Sequence, residues 1–375
     1  MSRTLLVVAG EDSGDLHGGE LLRCLKGLRP DLRLVGIGGP RMAPFLDRRL
    51  AAVEDLAVMG FVEVLRHLPR LNRIFDQVLA AAREERIDGA LLIDYPGFNL
   101  RLARALRARM PGVGLHQYVC PQVWAWKRGR IPVLGRTLDT LYCLFGFEPA
   151  LFEGLPVRAV FLGHPLVDLV VPEVDRAAFF AEAGLDPARP LVALLPGSRR
   201  GEVQRLLPPM AALVADWAVR RPEVQWVVPV APSLDPGVLR AGFPGLPVTL
   251  VEGRSYAARA HADAALVASG TATLETALLG TPFAMTYRLN PLTYLMARRL
   301  VKLPFVSLPN LVAGRGVVQE LLQGEVNPER MGQVLAGLLD PAQAQDLRAG
   351  LAEVRGQLGA TGAAARVAAD LAARL

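Results

Sequence analysis

The sequence predicts an α/β protein of two doubly wound, Rossmann-like domains facing a cleft. Short apolar runs alternate with longer amphipathic stretches from end to end, the pattern of βαβ units around a parallel sheet. The alternation restarts after Gly163. A length of 375 residues also exceeds what a single core of ordinary size accommodates.

In the first series, residues 4–10, 32–38, 89–95, 113–119 and 140–145 read as strands. In the second, residues 190–197, 224–231, 248–253, 264–270 and 282–288 do so. Between the two series, the stretch from Phe161 to Val174 mixes Gly, Pro and acidic residues and reads as the linker. The domains expected are 1–165, which would hold an acceptor, and 166–340, which would hold a nucleotide sugar. An Ala-rich helical segment, 341–375, is expected to pack back on the first domain.

With 51% hydrophobic and 21% charged residues, the chain has the composition of a packed globular protein. Cys24, Cys120 and Cys143 are widely spaced and lack a CxxC pair, which argues against a disulfide framework or a zinc site. The N-terminal run LLVVA is stopped at once by Gly10, Glu11 and Asp12, so it reads as a first strand and not as a signal peptide. With no long uncharged apolar stretch to span a bilayer, a cytoplasmic protein is expected. The net charge of +6 has three readings. Nucleic acid is disfavoured, because the arginines are scattered and no recognised module is present. An anionic membrane surface is the second reading. The third is compositional bias, since Lys26, Lys127 and Lys302 are the sole lysines.

Two turns carry the strongest chemical signal. LLPGSRRGE leaves a strand through Gly197, Ser198 and Arg199, and ASGTATLE leaves another through Gly270 and Thr271 into a helix bearing Glu275. Small residues at a strand-to-helix turn let backbone N–H groups approach an anion, and the helix N-terminus favours negative charge there. Two such turns, one with an arginine, imply a cradle for a nucleotide diphosphate. Glu275 would suit the ribose hydroxyls.

At the first strand's end, VAGEDSGDLHGG sets Glu11, Asp12, Ser13, Asp15 and His17 among glycines. Ligands of open α/β sheets bind at this edge. The acids suit sugar hydroxyls or proton acceptance and would repel a pyrophosphate; Asp12 or Ser13 would equally serve as a helix cap. Asp94, in IDYPGFN, again follows a strand and is placed to take a proton from an attacking hydroxyl, or to cap the turn at Pro96 and Gly97. Asn99 reads as a helix cap, and Trp124 and Trp126 suit packing or binding equally. His164 reads as a structural residue in a hinge-like turn. Asn310 is expected on a turn before a helix containing Gln319 and Glu320, either capping that helix or reaching the nucleotide.

Residues 56–75 interleave Phe61, Val62, Leu65 and Leu68 with Arg66, Arg70 and Arg73. Apolar residues three and four apart most often face a core, but interleaved arginines also fit a helix lying on a membrane. The stretch with Arg288, Arg298, Arg299 and Lys302 has the same character.

VAGEDSGD, LAVMGFVEVL, IDYPGFN, PQVWAW, FLGHPLVD, LLPGSR, ASGTATLE and LVKLPFVSLPNLVAG resemble, in order and spacing, the lipid-A-disaccharide synthase family over residues 5–325. The resemblance implies a GT-B fold and glycosyl transfer from UDP-2,3-diacylglucosamine to 2,3-diacylglucosamine 1-phosphate. It also implies peripheral association with the cytoplasmic face of the inner membrane, with no cofactor or metal, and leaves a homodimer open. By position, Glu11, Asp94, Arg199, Glu275 and Asn310 match family residues important for activity. Gly97 departs from an aspartate found in some members, and Cys120 and Gln122 depart from more usual serines. The β-linked product that the resemblance implies makes the expected chemistry inverting transfer, for which the residues offer Asp94 as base and Glu11 in reserve, with Ser13 and His17 near the acceptor. The alternatives are another GT-B reaction, such as UDP-N-acetylglucosamine 2-epimerisation or transfer to a different glycolipid, and an NAD-dependent oxidoreductase. The last is disfavoured by the missing G-x-G-x-x-G.

Overall fold

Strand β1 (Thr4–Ala9) is buried along its whole length, and its side chains divide between two cores. Leu6 and Val8 face the helices Phe61–Glu84 and Pro96–Arg109. Leu5, Val7 and Ala9 face Asp12–Leu28 and Ala363–Ala372. A strand covered on both faces reads as an unbroken apolar run for this reason, and each such Val or Leu contributes about 1.5–3 kcal/mol. The computed structural model describes residues 3–56, 61–290, 293–295 and 303–375, with side chains of the helix Phe61–Glu84 described from residue 68 onward. Among these, the chain divides into two compact units, Met1–Pro165 with Gly359–Leu375, and Leu166–Leu358.

The first unit adds β2 (Arg33–Ile37), β3 (Arg48–Ala51), β4 (Gly89–Ile93), β5 (Gly114–Tyr118), β6 (Thr140–Cys143) and β7 (Arg158–Phe161). Their order is β3-β2-β1-β4-β5-β6-β7, and the pairs are parallel. The order reverses between β1 and β4, where Ala9 lies beside Ile93. The second unit holds β8 (Leu191–Leu195), β9 (Gln225–Val230), β10 (Val248–Glu252), β11 (Ala264–Ala268), β12 (Phe283–Tyr287) and β13 (Gln319–Leu322) in the order β10-β9-β8-β11-β12-β13, again parallel. Its reversal lies between β8 and β11. Loops after the strands at such reversals form the ligand edge of a doubly wound sheet.

Strands β3, β7 and β13 are additions to the sequence reading, and all three are sheet edges. Gln319–Leu322 was expected to be helical. Instead, Gly314, at φ 66°, closes a short helix Leu308–Ala313, and the chain then pairs with β12. The terminal stretch from 341 is not one body. Helix Pro341–Gln357 belongs to the second unit, and Ala363–Ala372 belongs to the first. The latter packs Val367, Ala368 and Leu371 into the core. Asp370 fastens it, accepting from Tyr142 Oη at 2.9 Å and from the Arg158 fork at 2.9 and 3.0 Å.

Candidate functional site

In the first unit the site grows from the ends of β1 and β4. Helix Asp12–Leu28 starts directly after Glu11, whose side chain is exposed and does not cap the helix. Ser13 sits in the first turn and donates to Asp94 Oδ2 at 3.1 Å, so it joins the two strand ends and does not act as the expected cap. Asp15 faces away from the site, buried, and accepts from the backbone N–H groups of Gly39, Arg41 and Met42 at 2.7, 3.0 and 3.1 Å.

Asp94 and Tyr95 both take left-handed backbone angles, φ 50° and 47°. Two such residues in succession are costly and persist when neighbours over-determine them. Asn99 supplies that constraint. From the helix Pro96–Arg109 its Nδ2 donates to Asp94 O at 2.8 Å and Ile93 O at 3.1 Å, so it holds the strand end and does not cap the helix. Gln117 Nε2, from β5, donates to Asp94 O at 3.2 Å. Tyr95 Oη donates to Leu56 O at 2.8 Å, and its ring lies where a Cβ on Gly10 would stand, 2.2 Å from Cδ1. Only glycine fits at position 10. Sequence reasoning missed Gln117 and Tyr95; a polar residue inside an otherwise buried strand was the available signal for Gln117.

His17 lies one helical turn beyond Ser13 and edge-on to Tyr118, with ring centroids 6.3 Å apart. Burial pushes its imidazole below its ordinary value, and the Asp94 carboxylate works weakly against that. Its Nδ1 is buried and has no hydrogen-bond partner among the described residues. His164 is buried against the Phe145 ring, 5.4 Å between centroids.

Trp124 is buried and donates from Nε1 to Glu148 Oε1 at 2.9 Å, whereas Trp126 is exposed. The two tryptophans therefore do different things. Glu148 is fully buried and accepts further bonds from Leu144 N and Phe145 N at 2.8 and 3.1 Å. Wide sequence spacing does not separate Cys120 and Cys143 in space, because they and Glu148 bring ligand-capable atoms within 4.8 Å of one another. The Cys120 thiol is pushed up by its hydrogen bond with Cys143 and by burial, and it points at Pro121 O, 3.4 Å away.

In the second unit, β8 is followed by Pro196 and Gly197, whose φ of 111° suits glycine, and then by the helix Arg200–Arg220. Glu202 Oε2 accepts from Ser198 N and Arg199 N, each at 3.3 Å, and Oε1 accepts from Arg199 Nη1 at 3.1 Å. The Arg199 side chain is 80% exposed, so this pair is a weak surface one. After β11, Gly270 is the residue preceding the helix Thr271–Leu278, which carries Glu275 on its second turn. Glu275 Oε2 meets Arg259 Nη1 at 2.7 Å, and Tyr256 Oη donates to Oε1 at 3.4 Å. Arg259 is buried, a partner the sequence did not reveal.

Asn310 lies inside the helix Leu308–Ala313 and is buried. Its Nδ2 donates to Val318 O and Glu320 Oε1, both at 2.9 Å, and its Oδ1 accepts from Val317 N and Val318 N, both at 2.8 Å. All four hydrogen-bonding positions are filled. In this structure Asn310 orders the loop leading to β13 and neither caps a following helix nor has capacity left for a nucleotide.

Of the interleaved segment, Phe61, Val62, Leu65 and Arg66 have side chains outside the described residues, as do Arg298, Arg299 and Lys302 altogether. Leu68, Arg70 and Arg73 are exposed, Arg70 paired with Asp55, and burial begins at Ile74. No described helix is long and apolar enough to cross a membrane.

A family model described as lipid-A-disaccharide synthetase matches residues 5–361. The lipid-A-disaccharide synthase of Myxococcus xanthus is 45% identical over 97% of this chain and 95% of its own length. Among solved structures, a UDP-N-acetylglucosamine 2-epimerase from Listeria monocytogenes matches with TM-score 0.69 at 15% identity, over 100% of this chain and 97% of that one. A calicheamicin glycosyltransferase matches at 0.64 and 17% identity, over 100% and 98%. These last two establish the fold, GT-B, which transferases and epimerases share. The family match over nearly the whole chain identifies the branch: the chain belongs to the lipid-A-disaccharide synthase family of UDP-sugar glycosyltransferases.

Proposed function

We propose that the chain joins UDP-2,3-diacylglucosamine to 2,3-diacylglucosamine 1-phosphate, yielding the β-1,6-linked disaccharide 1-phosphate and UDP. An α-linked donor and a β-linked product require inversion, hence a single in-line displacement. The acceptor 6-oxygen forms a bond to the donor's anomeric carbon while the bond to the β-phosphate oxygen breaks. UDP leaves with the electron pair. The hydroxyl proton passes to a carboxylate, for which Asp94 is the candidate and Glu11 the reserve, a transfer worth roughly 10²–10⁴-fold.

The observation that carries this reading is the Asp94 geometry within a chain of this family. Its carboxylate stands at the β1/β4 reversal on a backbone held by Asn99 and Gln117, with Ser13 on Oδ2 at 3.1 Å. An oriented base needs such support. Departing UDP gains charge, which Arg199 and the N–H groups around Ser198, Gly270 and Thr271 would stabilise. Because the Arg199–Glu202 pair is exposed, a diphosphate can displace it cheaply. The reading requires no metal or cofactor. Glu275 is oriented by Arg259 on Oε2 and by Tyr256 on Oε1, and the second lone pair of Oε1 would take a ribose hydroxyl.

Both sugars carry acyl chains, and each CH₂ exposed to water costs about 0.8 kcal/mol. The protein is therefore expected to work as a peripheral enzyme on the cytoplasmic face of the inner membrane. Exposed Leu68, with Arg70 and Arg73 nearby on the same helix, supports contact through this segment. The test is incubation of the purified protein with both acylated sugars and a chelator. Mass spectrometry should find the disaccharide 1-phosphate and UDP, and NMR should show the new anomeric centre as β. An α-linkage, or UDP release without a disaccharide, would overturn the assignment.

A further inference from the structure

Trp126 is the one exposed aromatic side chain among the described residues, at 55%. It is displayed by a built loop at the end of β5. Two residues earlier Trp124 is driven into the core, pinned to Glu148 and packed edge-on against Phe145 and Phe147. Between them the chain turns tightly, with Ala125 N bonding to Gln122 O at 3.1 Å. Lys127 then takes a left-handed φ of 58°, and Arg130 N closes the next turn on Lys127 O at 2.9 Å. This conformation sets Lys127 Nζ 4.1 Å from the centroid of the Trp126 ring. Exposed Arg128 and half-buried Arg130 follow directly. Lys127, Arg128 and Arg130 form no ion pair with the described carboxylates.

A core tryptophan buries its ring, and a surface arginine cluster ordinarily finds acids. This loop does neither. We infer that Trp126, with Lys127, Arg128 and Arg130, is an interfacial anchor that docks on an anionic lipid surface. The indole suits the headgroup boundary, where an amphipathic ring is half wet, and the three cations meet lipid phosphates. Charge complementarity selects this occupant, since an apolar protein partner would leave three cations unpaired. The inference rests on the reading of acylated substrates handled at a membrane, and it adds a second contact element to the segment around Leu68.

The test is partition of the whole protein onto vesicles of phosphatidylcholine with and without phosphatidylglycerol, some carrying brominated acyl chains. The other tryptophans, Trp124, Trp217 and Trp226, are buried, so quenching by brominated lipid reports Trp126. Wild type should be quenched on the anionic vesicles, and Trp126→Phe should not. Replacing Lys127, Arg128 and Arg130 by Gln should lower partition about a hundredfold, at about fivefold for each cation. Melting temperatures should match wild type, because these side chains support no core. Vesicle binding without quenching, or with unchanged partition of the triple variant, would overturn the anchor and leave membrane action through the Leu68 segment standing. Disaccharide formation in detergent micelles with no vesicle binding would overturn the anchor and leave the catalytic reading intact.

Discussion

Ser13 and Asp94 lie 81 positions apart in sequence and share a hydrogen bond of 3.1 Å across the reversal of the first sheet. The bond ties the first turn of one helix to the residue that follows β4. It occupies Oδ2 and leaves Oδ1 as the open oxygen of a half-buried carboxylate. A base held in this way is aimed before substrate arrives.

Asp94→Asn should abolish turnover, a loss on the order of 10²–10⁴-fold or more, and leave UDP affinity unchanged. Asparagine is the right probe because it tolerates the left-handed backbone and still accepts from Ser13. Steady-state rates and calorimetric UDP titration check the two halves separately. A variant with more than about a tenth of the wild-type rate would pass the role to Glu11.

Arg199→Ala should weaken UDP binding and slow the chemical step together, since a guanidinium on a diphosphate contributes more as charge develops. The affinity loss should be about tenfold to a hundredfold, as for a hydrogen bond to a charged group. The lost Glu202 contact should not alter the melting temperature, because the pair is solvated. Unchanged affinity would move the diphosphate cradle to another turn.

How far the sequence could be read depends on burial. Strands β1, β4 and β8 were readable because helices on both faces make them uniformly apolar. Edge strands β3, β7 and β13, reading RRLA, RAVF and QELL, were not, since Leu321 is the one buried residue among them. The site divides similarly. The positions of Asp94, directly after β4, and of Arg199, on the turn after β8, were readable from the apolar runs that precede them. Gln117 could be flagged as a polar residue in a buried strand, but its hold on Asp94, like that of Arg259 on Glu275, becomes visible only when separate strands and helices meet. Asn310 shows the converse, a residue read as a cap or a nucleotide ligand whose side chain bonds to Val317, Val318 and Glu320 in the stretch after its own helix.

Glu275→Ala should destabilise the protein with no nucleotide present. Arg259 has a side chain 3% exposed, and its charge is balanced by Glu275 at 2.7 Å. Removing one member of a buried pair costs about 3–5 kcal/mol, which lowers the melting temperature by roughly 10 °C in a unit of this size. Glu275→Gln keeps an acceptor and should lose less. Arg259 also donates to Ser255 O at 3.0 Å and Ser255 Oγ at 3.2 Å and lies over the Tyr256 ring, 4.8 Å from its centroid; an Ala variant that melts like wild type would show that these contacts alone hold it.

Stability should carry an acid-side signature from Glu148. Burial pushes its carboxyl from 4.5 up to about 7, while three N–H donors pull the other way. Between those values the native protein keeps a proton that the unfolded chain releases, so this group's contribution falls as pH rises from 4.5 to 7. The buried imidazoles of His116 and His164 act oppositely. Burial lowers them to about 4 and about 3, so the unfolded chain takes protons first and their contribution grows as pH rises towards 6.5. Glu148→Gln should be less stable than wild type throughout, because its amide group must face N–H donors where a carboxyl oxygen accepted them. The deficit should be largest near pH 4.5 and shrink as pH approaches 7, by at most about 1.4 kcal/mol per pH unit. Urea midpoints of both proteins across this range measure it. A deficit that stays flat with pH would mean that Glu148 does not hold a proton in the native fold.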